Sequence, residues 1–218
     1  MASTKTYMNS HEPTIKDRKQ EYHHEPKGFR DMFAYSFVRG AVFFANIFFR
    51  ERYGHRAIVL ETLAAIPGMV GGLFQHLSAL RHIRDDRGWI KTLIDEAENE
   101  RMHLMIYAHI AKPSVFERFM IAFIQITFYC FYFIIYLFSP RTGHRLVGYL
   151  EEEAVRSYTH YLELIDLHKQ RDVQAPEIAI NYWKLSSDAR LRDVVVATIA
   201  DEMKHRDTNH SFADKLSR

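Results

Sequence analysis

The sequence predicts an all-α protein, and two observations support this fold class. No segment shows the strict apolar–polar alternation of a half-buried strand, and glycine is sparse, at nine residues in a chain of 218. Apolar residues instead recur with helical spacing along most of the chain. We predict six long helices, with a short helix at 177–185, and the long helices cover about residues 29–50, 55–85, 89–111, 114–139, 142–169 and 188–215.

Breaks between these helices are indicated at 85–88, at Lys112-Pro113 and at Ser139-Pro140, because glycine and proline end helices. Pro67 lies inside the second helix and predicts a kink, since proline has no amide proton and crowds the preceding turn. The adjacent Gly71-Gly72 pair has two interpretations. It either admits a neighbouring helix at close range or is simply tolerated there.

Composition excludes several classes of protein. A hydrophobic content of 47% with 14% aromatics is atypical of disorder, and a formal net charge of +2 is too small to suggest a nucleic-acid partner. We interpret residues 1–28 as a mobile N-terminal tail and residues 29–218 as a single domain. The one cysteine, Cys130, permits neither an intrachain disulfide nor a cysteine-based metal site.

Two Glu-x-x-His motifs indicate the chemistry. Glu100 with His103, and Glu202 with His205, place a carboxylate and an imidazole on one face of a helix. A single match means little, because the N-terminal segment contains another one at residues 21–24. The doubled motif matters because each copy follows a helix with a further glutamate, Glu61 before the first and Glu151 before the second.

This order of ligands is typical of a ferritin-like four-helix bundle that houses a di-iron centre. Four carboxylates buried together repel one another, whereas two iron ions neutralise them and also exchange electrons. Asn99 and Asp201 precede ligand glutamates and are candidates for hydrogen bonds to the ligands. Tyr158 lies seven residues after Glu151 on the same face, either as an electron and proton donor or as a packed aromatic.

Residues 119–138 form a run of 20 residues without a charged side chain, long enough to cross a bilayer. A crossing would leave Glu61 and Glu100 on one side of the membrane and Glu151 and Glu202 on the other. We therefore predict a monotopic protein whose segments 29–50 and 114–139 form an apolar surface in one leaflet.

Four sequence blocks resemble the alternative oxidase family, over about residues 29–215. They are LET with IPGMVGG at 60–62 and 66–72, NERMHL at 99–104, LEEEA at 150–154 and ADEMKHR at 200–206. The resemblance implies a membrane-bound oxidase that transfers electrons from ubiquinol to dioxygen at two iron ions, forms water and pumps no protons. It also implies a homodimer on one leaflet.

Carried over by motif, the resemblance assigns roles to individual residues. The implied iron ligands are Glu61, Glu100, His103, Glu151, Glu202 and His205, with Tyr158 as a radical partner. The implied quinol pocket contains Arg56, Leu60, His144, Glu153, Ala154 and Ser157. Residues expected to hydrogen-bond around the ligands are Asn99, Asp201, Tyr182 and Trp183.

The chain departs from the family at Val42, where many relatives carry an arginine, and it has no regulatory cysteine ahead of the first helix. Without a recognisable presequence, it is expected on the cytoplasmic face of a bacterial inner membrane. The alternative is the matrix face of the mitochondrial inner membrane. The rival functions are a di-iron quinone hydroxylase, ferritin-like iron storage and a helical membrane anchor without metal.

Overall fold

The structure is a computed structural model that describes residues 23–49 and 52–216. The secondary structure of these residues is helical, with one isolated bridge between Gln174 and Arg190 and no β-strand. The prediction of an all-α protein is confirmed. The helices are α1 Gly28–Phe49, α2 Tyr53–His82, α3 Trp89–Ala111, α4 Val115–Phe138, α5 Pro140–Asp166, the short α6 Glu177–Trp183 and α7 Leu191–Lys215.

Local sequence explains where the central helices start and stop. Ser114 and Glu117 form a reciprocal capping box at the start of α4, which satisfies two otherwise unpaired amide groups. Ser139 ends α4 and caps α5, and Pro140 occupies the first turn of α5, where a missing amide proton costs nothing.

The bundle consists of two closely packed helix pairs, α2 with α3 and α5 with α7. Both pairs are antiparallel. In the first, Glu61 lies near His103 and Gly72 near Ile94. In the second, Glu152 contacts His210 and Arg145 contacts Asp214. The four long helices that carry the predicted ligands therefore surround one interior.

Glycines in α2 allow α3 to approach closely. A Cβ atom on Gly68 would lie 2.3 Å from the carbonyl oxygen of Leu93, and one on Gly72 would lie 2.8 Å from Ile94. Of the two interpretations of the Gly71-Gly72 pair, the one in which it admits a neighbouring helix at close range therefore holds. Pro67 lies inside α2, which continues past it to His82.

Helices α1 and α4 cover the bundle from outside, with α1 against α5 and α4 against both α2 and α5. Their outer faces are apolar and exposed, with side chains that include Phe29, Phe43, Phe44, Ile47, Phe116, Phe119, Phe123, Ile126, Ile134 and Phe138. By length and hydropathy two helices are able to cross a membrane, namely α2, which is largely buried in the bundle, and α4, of which only 17% of the apolar window is buried.

The predicted mobile tail lies mostly outside the described residues, since the structure describes the chain only from His23 onward. The imidazole of His23 lies 2.7 Å from a carboxylate oxygen of Glu152, and the backbone amide of His24 donates to the other oxygen at 2.9 Å. Packing against α5 therefore begins ahead of α1.

Candidate metal centre

The six side chains predicted as metal ligands all point into the bundle. Helix α2 supplies Glu61, α3 supplies Glu100 and His103, α5 supplies Glu151, and α7 supplies Glu202 and His205. None of the six is more than 6% exposed. The structure therefore brings all six predicted ligands to the interior of the bundle.

Four of the six form a compact group, since Glu61, Glu100, His103 and Glu202 each offer a ligand atom within 4.8 Å of the others. His103 Nδ1 lies 3.2 Å from Glu202 Oε1 and 3.3 Å from Glu61 Oε2. Carboxylates from two helices thus meet at one imidazole nitrogen of a third helix.

Glu151 and His205 lie at the edges of this group of four. The six side chains together are called the box below. Glu151 lies against Glu202, and burial together with the charges of Glu202 and Glu100 raises its pKa well above the usual value. His205 Nδ1 lies 2.6 Å from Glu100 Oε1 and 3.6 Å from Glu202 Oε2. The six side chains therefore form one connected group.

A hydrogen-bond network outside the box fixes the orientation of His103. Its Nε2 lies 3.2 Å from Asp201 Oδ2, and the same oxygen accepts hydrogen bonds from Trp183 Nε1 at 2.9 Å and from Asn99 Nδ2 at 3.0 Å. Asn99 Nδ2 also donates to Tyr182 Oη at 2.6 Å. The structure thus brings together all four residues predicted to surround the ligands. With Nε2–H donated to Asp201, the lone pair of Nδ1 faces the carboxylates, which is how a metal-bound histidine is usually held.

The electrostatics of the box require a positive charge. Burial and the charges of Glu202 and Glu100 raise the pKa of Glu61 well above its usual value. Burial opposes an imidazolium at His103, yet the charge of Glu61 and the hydrogen bond to Asp201 raise the pKa of His103 well above its usual value. Without a cation, the site therefore holds protons that a metal ion displaces.

The donor atoms fit a metal. Both carboxylate oxygens of Glu100 and of Glu202, Oε2 of Glu61 and Nδ1 of both histidines are buried without a well-directed hydrogen bond. Buried polar atoms are rarely left unpaired, and these atoms converge on one interior. Oxygen and imidazole donors of this kind suit iron, manganese or zinc.

Tyr158 contacts the box directly, because its hydroxyl donates a short hydrogen bond to Glu61 Oε1. Its ring stacks on Tyr107 with centroids 5.3 Å apart, and the hydroxyls of Tyr107 and Thr198 are hydrogen-bonded at 3.1 Å. Tyr158 is therefore a packed aromatic whose hydroxyl is also hydrogen-bonded to a predicted ligand, while its role as an electron and proton donor stays a prediction.

A small inner cavity of about 20 Å³ adjoins the carboxylates. It is lined by Glu61, Glu151 and Glu202 and by mostly apolar side chains, namely Leu60, Leu63, Ala64, Leu150 and Ala154. A single water needs roughly 10–15 Å³ on this scale, so the cavity has room for one water-sized or diatomic molecule. Leu60 and Ala154, two of the residues implied for quinol binding, line this cavity.

A larger outer pocket of about 490 Å³ opens between α1, the start of α2 and α5. It contains Arg56, Glu153 and Ser157, three further residues implied for quinol binding, beside Arg39, Val42, Phe43, Asn46, Tyr53, Arg156 and His160. Arg56 is largely buried and donates to Asn46 Oδ1 at 2.5 Å.

His144, the sixth residue implied for quinol binding, lines neither the inner cavity nor the outer pocket. It is completely buried, its Nε2 lies 3.0 Å from Tyr136 Oη, and its Nδ1 lies 3.0 Å from Asn209 Oδ1. Burial lowers the pKa of His144 to about 4, so the ring is neutral at pH 7.

Two buried residues near the site were missed by the sequence reasoning. Glu96 lies one turn before Glu100 on the same inward face, and Asn209 donates to Glu96 Oε1 at 2.7 Å and to the backbone carbonyl of His205 at 3.0 Å. The spacing of four residues between Glu96 and Glu100 was the available signal. Asn209 likewise follows His205 by four residues.

Comparison with known proteins identifies the family. The family model described as alternative oxidase matches residues 11–214. A protein named "Ubiquinol oxidase, mitochondrial" from Batrachochytrium dendrobatidis is 52% identical over 194 residues, which is 89% of this chain and 61% of the relative. "Ubiquinol oxidase 2, mitochondrial" from Nicotiana tabacum is 51% identical over 192 residues, 88% of this chain and 65% of the relative.

"Ubiquinol oxidase 1a, mitochondrial" from Arabidopsis thaliana is 50% identical over 192 residues, 88% of this chain and 54% of the relative. The chain thus spans roughly three fifths of the length of the relatives it matches. The family model covers nearly the whole chain, including all six side chains of the box and the network around them. The chain belongs to the alternative oxidase family.

Proposed function

We propose that this protein is a ubiquinol oxidase that reduces dioxygen to water at two iron ions, without pumping protons. The observation that carries this proposal is the buried box of four carboxylates and two imidazoles, seven of whose oxygen and nitrogen atoms are buried without a well-directed hydrogen bond. The names of the relatives supply the electron donor, since all three are called ubiquinol oxidases. The statement that the protein pumps no protons rests on the resemblance to the family alone.

In this proposal Glu61, Glu100, Glu151 and Glu202 hold the iron ions, with His103 and His205 at Nδ1. Bound ferrous iron would supply electrons to dioxygen, which zinc cannot do. The box excludes bulk water, and its carboxylates are positioned to exchange protons during the reaction. Asp201 would hold His103 in the tautomer that leaves Nδ1 free to bind metal.

The inner cavity and the outer pocket differ in size, and this difference supports a different ligand for each. The inner cavity is large enough for dioxygen or one product water, whereas a quinol head group needs the space of the outer pocket. We place the quinol hydroxyl near Glu153, with Arg56 and Ser157 as hydrogen-bond donors to the ring oxygens. Glu153 would accept the quinol proton, and Tyr158 would pass a proton to Glu61 through their hydrogen bond.

The apolar faces of α1 and α4 support attachment to one leaflet of a membrane. Many of their exposed side chains are large and aromatic, and such patches favour lipid or protein contacts over water. The ligand glutamates precede and follow α4, so a crossing by α4 alone would divide the box. The mitochondrial relatives favour an inner mitochondrial membrane, while the bacterial inner membrane remains our other prediction.

A second apolar row supports a homodimer. Met69, Leu73, Leu77 and Leu80 are exposed on α2 at helical spacing. Two copies of this row would bury each other in an isologous interface. Cross-linking of single cysteines placed on this row, in a variant without Cys130, tests the dimer.

The proposed function is tested by metal analysis together with an oxygen electrode. Purified protein should contain two irons per chain and consume oxygen with a short-chain ubiquinol in the presence of cyanide. The oxidised product should have the mass of the quinone, because a hydroxylase would add one oxygen atom. Active protein without iron would refute the proposal.

Glu202→Gln provides the sharper test of the ligands, with Lys204→Gln as its matched control. Lys204 lies in the same motif but is exposed, so its removal should leave iron content and oxygen consumption unchanged. Glu202→Gln should lose iron and activity together. Full iron occupancy in Glu202→Gln would remove this residue from the ligand set.

A further inference from the structure

Glu153 is held in the outer pocket by two guanidinium groups that both bind the same carboxylate oxygen. Arg39 Nη1 donates to Glu153 Oε1 at 2.9 Å, and Arg156 Nη1 makes a shorter hydrogen bond to this oxygen. Among the described residues, no hydrogen bond reaches Glu153 Oε2. One oxygen of this buried carboxylate is therefore fixed while the other stays available in the pocket.

The two arginines come from different parts of the fold. Arg156 lies on α5, three residues after Glu153, so its contact follows from helix geometry. Arg39 lies on α1, and its contact spans 114 residues of sequence. The same helix presents Phe43 and Phe44 on its exposed apolar face. Arg39 therefore lines the outer pocket from a helix that also forms part of the proposed membrane surface.

We propose that Arg39 is a positioning residue for quinol oxidation, which orients Glu153 so that Oε2 faces the quinol hydroxyl. This inference rests on the proposed function. Arg39 itself touches no reacting atom. The quinol O–H bond would break toward Oε2 of Glu153, which gains the proton, while the electrons leave the quinol ring for the metal site. Arg39 contributes by restricting rotation of the carboxylate, because general bases act only within hydrogen-bond reach of the proton.

The competing interpretation is an ordinary ion pair at a partly exposed site. The side chain of Arg39 is 50% exposed and that of Glu153 is 7% exposed, and exposed ion pairs typically contribute little to stability. An ordinary ion pair would change thermal stability slightly and leave the kinetics of quinol oxidation unchanged. Misplacing a reacting group by about 1 Å, in contrast, lowers rates by up to about a hundredfold.

The experiment compares Arg39→Gln and Arg39→Lys in the iron-loaded protein in lipid vesicles, with Arg30→Gln as the matched control. Arg30 is exposed on the same helix, and its substitution removes the same charge from the membrane surface. We expect Arg39→Gln to lower kcat about tenfold with a smaller change in KM. Arg39→Lys, which retains a charged donor, should stay within about threefold of the original protein, and Arg30→Gln should remain unchanged.

A double variant separates positioning from a general effect on the fold. If Arg39 acts through Glu153, the variant Arg39→Gln with Glu153→Gln should be no slower than Glu153→Gln alone. Additive losses, or an unchanged kcat in Arg39→Gln, would overturn the inference. An original protein that consumes no oxygen with quinol would refute the proposed function instead, and the positioning role would fall with it.

Discussion

The contact between α2 and α3 gives the sharpest test of how this fold builds its candidate metal site. Gly68 lies on α2, two turns after Glu61, at a point where α3 almost touches the helix backbone. A Cβ atom at this position would lie 2.3 Å from the carbonyl oxygen of Leu93 and 2.9 Å from the Cβ atom of Ala97. Ordinary contact begins at 3.4 Å, so Gly68→Ala must push the two helices apart by about 1 Å.

The magnitude follows from two opposing effects. Replacing glycine by alanine inside a helix stabilises by about 1 kcal/mol when there is space for the methyl group. Overpacking costs about 1–3 kcal/mol when side chains give way, and the atom met first here is backbone, which cannot rotate aside. We therefore expect a net loss of roughly 2 kcal/mol, which lowers Tm by about 4–8 °C for a chain of this length.

Gly40→Ala is the matched control, because a Cβ atom at Gly40 would meet nothing within 4 Å. It should stabilise the protein by about 0.5–1 kcal/mol through helix propensity alone. Circular dichroism during heating in detergent measures both effects, and iron content reports whether Glu61 and Glu100 still share a site. Equal or higher stability of Gly68→Ala would show that the helices are not held at this distance.

Two further predictions concern buried groups beside the box. Burial raises the pKa of Glu96 to about 7, so the unfolded chain ionises this group at lower pH than the folded one. Glu96 alone should therefore cost the metal-free protein roughly 3 kcal/mol as pH rises from about 4.5 to 7. Glu61 and Glu151, whose pKa values are also raised, add to this slope. Glu96→Gln should therefore reduce the slope in urea titrations, whereas Glu98→Gln, exposed on the same helix, should leave it unchanged. Tyr158→Phe should retain iron but lose most quinol oxidation and any tyrosyl signal in electron paramagnetic resonance. A tyrosyl signal that persists in this variant would assign the radical to another residue.

Helix positions were predictable because they depend on local periodicity and on proline or glycine at the breaks. The prediction for the third helix, 89–111, coincides with α3. The last helix was predicted from 188 but begins at Leu191. The residues before it bond to the segment that follows α5, since Ala175 donates its amide to Ala189 and Leu191 donates to Val173. Such pairing between distant segments leaves no periodic signal in the sequence.

The candidate metal site was predictable for a similar reason, because both Glu-x-x-His motifs encode a shared helix face. The contacts around the outer pocket were not. Arg39 and Glu153 lie 114 residues apart, about half of the chain. An arginine among apolar residues of α1 predicts only an interruption of the apolar face. Ion pairs of this kind depend on how α1 crosses α5, which no spacing within either helix determines.

His144 illustrates how a correct face assignment leaves the role of a residue open. It precedes Glu151 by seven residues, so both lie on the inward face of α5. Asn209 uses both amide hydrogens on Glu96 and on the His205 carbonyl, so its oxygen must accept from His144 Nδ1–H. The other ring nitrogen, Nε2, then accepts from Tyr136.

With both nitrogens occupied by buried partners, His144 has no free position for a quinol oxygen. A quinol contact at His144 stays a prediction from the family, and it would require breaking a buried hydrogen bond. Such a loss costs about 1–3 kcal/mol when the partner remains unpaired. The structure instead supports a role through Asn209, by which His144 holds the backbone of His205 against α3. The helix pair that presents Glu202 to the box is thereby tied to the pair that presents Glu100.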